Sequence, residues 1–150
     1  VYGPGQQLYR IISRTILCIL LGEKLQLHGG GVSRRSFIHM DDVSDATLKI
    51  MLHGKSGDTY HISTDEVVSI RELVETLCTK LGVRFEDHAE IVGDRLGKDA
   101  AYQLDSTKLR DELNWQDKVS LDQGLDQCID WVQRNFDALK DQPFDYIHKR

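Results

Sequence analysis

The sequence predicts a mixed α/β fold, a small domain of short strands and several helices. Three observations predict it. The serine-led stretches "SIRE" (69–72) and "SLDQ" (120–123) have capping-box form and each opens an apolar helical run. Short alternating stretches such as "KLQLHG" and "DTYHIS" lie between the helical runs, so strands and helices interleave along the chain. The chain has 150 residues, 40% of them hydrophobic, without repeats or low-complexity segments; that suits one domain with a real core.

The elements follow in order. "VYGPGQQ" is turn chemistry, and Leu8 to Leu21 is strongly apolar at helical spacing, with Gly22 as its stop. "KLQLHG" (24–29) reads as a strand, and "SFIHM" (36–40) as a second extended piece. Asp41 or Asp42 is read as the cap of a helix with Val43, Ala46, Leu48, Ile50 and Met51 as its apolar positions, ending before Gly54. "DTYHIS" (58–63) alternates like a strand. The helix opened at Ser69 runs to Leu81, with Gly82 after it. "RFEDHAEIV" (84–92) reads as a strand leading into the loop "GDRLGKD". A short helix carries Lys108, Leu109 and Leu113 toward Trp115, and the helix opened at Ser120 buries Leu125, Ile129, Val132 and Phe136. The tail from Asp141 reads as irregular.

Charge and composition exclude several classes. A net charge of -5 argues against a general nucleic-acid binder, so an anionic partner needs a local basic cluster. Cys18, Cys78 and Cys128 fall in apolar helical stretches, an odd set that points to a reducing compartment without a disulfide framework. The opening has no signal-peptide pattern, and the longest apolar run, 15–21, is too short for a bilayer. The expectation is a soluble cytoplasmic chain.

Chemistry is sparse. Arg35 follows the run Gly29-Gly30-Gly31, while Arg95 and Lys98 lie in a separate glycine-containing loop. Two arginines from different loops can grip a diphosphate through bidentate hydrogen bonds, and glycines beside them let backbone approach a ligand. The same residues also fit ordinary solvated turns. The six histidines match no zinc spacing, no serine lies in a nucleophile elbow, and no Walker loop or G-x-G-x-x-G turn occurs. Trp115 and Trp131 sit at apolar helical positions and read as core.

Several segments in order resemble one family: "YGPGQ" (2–6), "KLQLHGGGVSRRSFIHMDDVSDA" (24–46), "GDTYHIS" (57–63), "SIRELV" (69–74), "GDRLGKDAAYQLDSTKLRDELNW" (93–115) and "GLDQCIDWVQRN" (124–135). Together the chain is similar to the C-terminal, substrate-binding half of the extended short-chain dehydrogenase/reductases, the NAD-dependent epimerase/dehydratase family, nearest to the dTDP-glucose 4,6-dehydratase group. The resemblance implies the C-terminal portion of a Rossmann-like fold over residues 1–150. It also implies that the NAD-binding turn and the catalytic Tyr-x-x-x-Lys pair, which this sequence lacks, belong to an N-terminal half.

By that resemblance, Arg35 and Arg95 match arginines that contact the nucleotide diphosphate, and His28 takes the place of an aromatic near the base. His61 stands where relatives commonly carry Asn; Leu96, Lys98 and Ala101 replace Pro, His and Arg, with Lys98 able to keep a positive contact. The implied ligand is a dTDP-, UDP-, GDP- or CDP-hexose, held while NAD in the complete enzyme performs hydride transfer for a dehydratase or an epimerase. This chain alone is then inactive, or a stand-alone nucleotide-sugar-binding module, able to self-associate, with no metal site and no nucleic-acid or membrane partner.

Overall fold

A computed structural model describes residues 1–94 and 99–144. Helix α1 (Ile11–Leu21) forms the spine, because its apolar residues occur on more than one face and a single partner could not cover them. Ile12, Ile16 and Leu17 meet Leu73 and Leu77 of α3 (Ile70–Lys80) together with Leu125, Cys128 and Val132 of α6 (Leu121–Arg134). On its other side Cys18 and Ile19 pack with Leu25 and Leu27 of strand β1 (Leu25–His28) and with Val74 and Cys78. Gly22 ends α1 in the left-handed conformation, at φ 71°, as its position after an apolar run requires. No helix among the described residues is long and apolar enough to cross a membrane.

Two small sheets flank this spine. Strand β1 lies parallel to β4 (Ala89–Val92), with His28 opposite Val92. Strand β2 (Arg34–Ser36) is the centre of the second sheet, antiparallel to β3 (Val67–Ser69) and parallel to β5 (Ala101–Tyr102). Between β1 and β2 the three glycines make a tight 3-10 turn, each with positive φ. The helix opened at Ser69 is held by both halves of its capping box, as is α6 at Ser120.

Some sequence expectations shift. The segment 58–63 is not a strand. Its Ser63 carbonyl accepts from the Ser106 hydroxyl and from Arg110 Nη2, both at 3.1 Å, and Tyr60 and Ile62 pack onto Ile38, Ala46, Leu109 and Trp115. Side chains rather than a neighbouring backbone fix this segment in place. Residues 85–88 form one helical turn, α4 (Phe85–His88), so the strand expected over 84–92 occupies only its second half.

Helix α2 (Met40–His53) begins two residues earlier than a cap at Asp41 would allow and three earlier than one at Asp42. His39 is the cap, its Nδ1 accepting from the Asp41 amide at 3.3 Å. Asp42, almost fully buried, accepts from the amides of Lys118 at 2.8 Å and Val119 at 3.1 Å, tying α2 to the segment that enters α6.

Helix α5 (Thr107–Leu113) carries Arg110, which organises the third core cluster. The guanidinium lies over the Trp115 ring at 5.1 Å and donates to Asp117 at 2.7 Å. Burial pushes the Asp117 carboxyl up, but hydrogen bonds from Arg110 and Thr64 outweigh it and hold the group below its ordinary value. A lowered carboxylate stabilises the fold above its unfolded-state value and loses that contribution as pH falls through the folded one. Asp117→Asn is therefore expected to flatten the decline of Tm below about pH 4, measured against the wild-type acid series. An unchanged slope would remove Asp117 from the acid response.

Candidate functional site

Two neighbouring clefts open at the start of α1. The first encloses 430 Å3, with Arg10, Gln6 and Arg35 among its polar lining and Phe37, Ile62 and Tyr102 among its apolar lining. The second encloses 580 Å3 and includes Tyr9, Arg14, His28 and Ile70 in its wall. Arg10 and Ile11 line both, so the N-terminal end of α1 is the partition between them.

That helix end is prepared for negative charge. Arg10 is the N-cap residue, no side chain caps the helix, and its first turn holds no acidic residue. The first-turn amides and the positive end of the helix dipole thus lack an anionic partner within the helix itself. Arg35 stands in the first cleft as a half-buried group on β2. Its Nη1 donates to the Arg34 carbonyl at 2.7 Å and its Nη2 to the Asp99 carbonyl at 2.9 Å. Two backbone carbonyls therefore fix the guanidinium plane and spare much of its donor fan, which suits an oxyanion better than a swinging side chain does.

His28 ends β1 in the second cleft, its Nδ1 3.1 Å from the Gly93 carbonyl. A carbonyl only accepts, so Nδ1 carries the proton, and this bond orients the ring. The structure thus brings Arg35 and His28 to adjoining clefts. It does not bring His61 into either: His61 is exposed, and its charge contributes to lowering the Asp105 carboxyl, after the larger effect of hydrogen bonds from Thr107. Arg95 and Lys98 lie outside the described residues.

The glycine run has a different role from the one its composition suggests. A side chain at Gly29 would collide with the Asp94 carboxylate, and one at Gly31 would meet the Arg71 amide at 2.9 Å and Leu27 at 3.0 Å. Gly29 and Gly31 thus admit the protein's own atoms, the Asp94 carboxyl and the Arg71 amide, at close approach. Among the described residues no group of three acidic, histidine or cysteine side chains is placed to hold a metal.

Sequence reasoning missed Arg10 and Arg14. The signal was present: they are the only charged residues between Leu8 and Leu21, and they stand four apart, one helical turn. Two cations on an otherwise uncharged helix are more informative than two in a loop.

A family model described as GDP-mannose 4,6 dehydratase matches residues 1–128. A dTDP-glucose 4,6-dehydratase of Mycobacterium tuberculosis is 36% identical over 135 residues, 89% of this chain and 40% of that protein. A dTDP-glucose 4,6-dehydratase structure from Streptomyces venezuelae, with NAD bound, superposes with a TM-score of 0.87 at 31% identity, over 91% of this chain and 42% of that one. A UDP-glucose 4-epimerase structure with UDP-glucose from Thermotoga maritima gives 0.83 at 27% identity, over 90% and 44%. The chain spans about 40% of the length of the curated dehydratases it matches.

Proposed function

Because the chain belongs to the GDP-mannose 4,6-dehydratase family, we propose that it is the nucleotide-sugar-binding region of an NAD-dependent nucleotide-sugar 4,6-dehydratase. The observation that carries this reading is the uncapped N-terminus of α1 opening between two clefts, with Arg10 on the partition and Arg35 locked in the wall. A diphosphate placed there receives helix amides and two guanidinium groups at once. The base then falls on the His28 side and the sugar on the Phe37 side. Arg95 and Lys98 are assigned to the diphosphate from sequence alone, and His61 to the rim beyond Ile62.

Each residue has a binding or orienting part in this scheme. Arg35 and Arg10 neutralise the diphosphate, and the apolar wall of Phe37, Ile38 and Ile62 excludes water beside the hexose. In the complete enzyme NAD supplies reversible hydride transfer, carried by the portion that the longer relatives have outside the matched residues. Residues of this chain supply binding energy that orients the hexose for that step. The likeness to a 4-epimerase supports the same binding role with a different later fate for the oxidised sugar.

Isothermal titration of the chain with dTDP-glucose tests the assignment. Arg35→Ala is expected to weaken binding by about 10- to 100-fold, the loss of a charge-assisted hydrogen-bond pair. Equal affinity in the variant and the parent chain would remove Arg35 from the site.

A further inference from the structure

Ile62 and Ser63 form part of the wall of the 430 Å3 cleft, yet the segment that carries them, 58–63, lies in no strand. Tethers from α5 hold it. Near its start Lys108 donates to Asp58 and Tyr60 donates to Glu112, both at 3.0 Å and both exposed. At its end, beside the cleft, the Ser63 carbonyl accepts from the Ser106 hydroxyl and from Arg110 Nη2, which occupies both of its lone pairs. Arg110 Nε also donates to the Ser106 hydroxyl, at 3.0 Å. The hydroxyl then has one proton to give, and Ser63 receives it. The guanidinium therefore holds the carbonyl twice, directly and through Ser106. It is itself anchored from elsewhere, by Asp117 at 2.7 Å and by the ring of the fully buried Trp115 at 5.1 Å.

We propose that Arg110 is a positioning residue for the sugar: by holding the Ser63 carbonyl it sets Ile62 and Ser63 in the wall that receives the hexose. The inference rests on the nucleotide-sugar reading above and deepens it. Arg110 lines neither cleft, so it touches no ligand in this scheme and acts only through the segment it holds. The diphosphate lies with Arg10 and Arg35, at the start of α1 and on β2, outside that segment. Without Arg110 the Ser63 carbonyl keeps one donor, a hydroxyl whose proton is free to turn away. A wall that must be ordered when the ligand arrives offsets the contacts it then makes. A wall already fixed gives those contacts to the hexose in full, and the nucleotide is indifferent to the change.

The test titrates dTDP-glucose and dTDP into the chain and into Arg110→Met, Ser106→Ala and Asp117→Asn. The parent chain is expected to bind dTDP-glucose about tenfold more tightly than dTDP, the hexose meeting a preformed wall. Arg110→Met keeps an apolar stem over Trp115 and loses every donor; it is expected to cut that ratio to about twofold or less with dTDP affinity unchanged. Ser106→Ala, a smaller lesion, removes the second donor and is expected to lower the ratio part of the way. Asp117→Asn keeps an oxygen for Arg110 and leaves both bonds to Ser63, so the parent ratio is expected there. Equal affinities for the two ligands in the parent chain overturn the inference. So does a loss in Arg110→Met that dTDP shares, or a ratio that falls as far in Asp117→Asn, since general loosening would then be the cause. Should Arg110→Met prove unfolded by circular dichroism, Ser106→Ala decides, and an unchanged ratio there overturns the role. If neither ligand binds a folded parent chain, the nucleotide-sugar reading itself fails, and the positioning role with it.

Discussion

Asp42→Ala is expected to lower stability by about 3 kcal/mol, read as a fall in Tm of roughly 10 °C for a domain of this size. The side chain is only 3% exposed and accepts from two backbone amides on the segment leading into α6. Alanine leaves both amides facing protein without an acceptor, and each costs more unpaired than its bond contributed. The loss also unties α2 from the segment entering α6, since Asp42 and its two bonded amides lie 76 and 77 residues apart along the chain. Asp42→Asn keeps one acceptor oxygen and should recover part of the loss. Thermal melts of both variants settle the matter: an alanine variant within 2 °C of the parent would show that water satisfies those amides.

Gly124→Ala is the second large effect, and its sign is opposite to what helix propensity predicts. In an open helix interior the change would stabilise by about 1 kcal/mol. Here the new methyl would collide with the Tyr2 hydroxyl and stand 2.7 Å from the ring carbon bearing it. Tyr2 cannot swing aside easily. Its ring is 2% exposed, edge-on to Phe37 and His39, and its backbone bonds Ile38 and Met40 on either side. Overpacking of this kind costs about 1–3 kcal/mol, and rearranging a locked aromatic belongs at the upper end. A net loss near 2 kcal/mol in urea unfolding is expected; a stabilised variant would mean that Tyr2 relocates at little cost.

The legible parts of this molecule were those decided within a few residues. Ser69 and Ser120 announced their helices because a capping box needs only four neighbours, and Gly22 its stop for the same reason. What stayed hidden depended on distant partners. Strands β3 and β5 are three and two residues long, exist only beside β2, and leave no periodicity to read. The alternation in 58–63 is real, since Tyr60 and Ile62 do turn inward, yet Arg110 and Ser106 take the bond that a strand ladder would have used. His39 displaced the aspartates as a cap because its ring is held edge-on to Tyr2, 37 residues earlier in the chain. Arg35 and His28 were picked out by ordered resemblance alone, and nothing local in the sequence said that they would line adjoining clefts. That adjacency comes from α1, whose end divides the two clefts.

The three cysteines, buried thiols outside any disulfide on α1, α3 and α6, make the protein a reporter of its own opening. Burial pushes the Cys128 thiol up to about 12 and raises Cys78 as well, so near neutral pH neither offers a thiolate to a reagent. Modification by an aromatic disulfide must wait until a helix lifts away, and the rate of colour release then counts openings. Cys18 and Cys78 share one cluster while Cys128 sits in another. Kinetic phases that separate these groups would show the two halves of the spine loosening independently; a single phase would show one cooperative release.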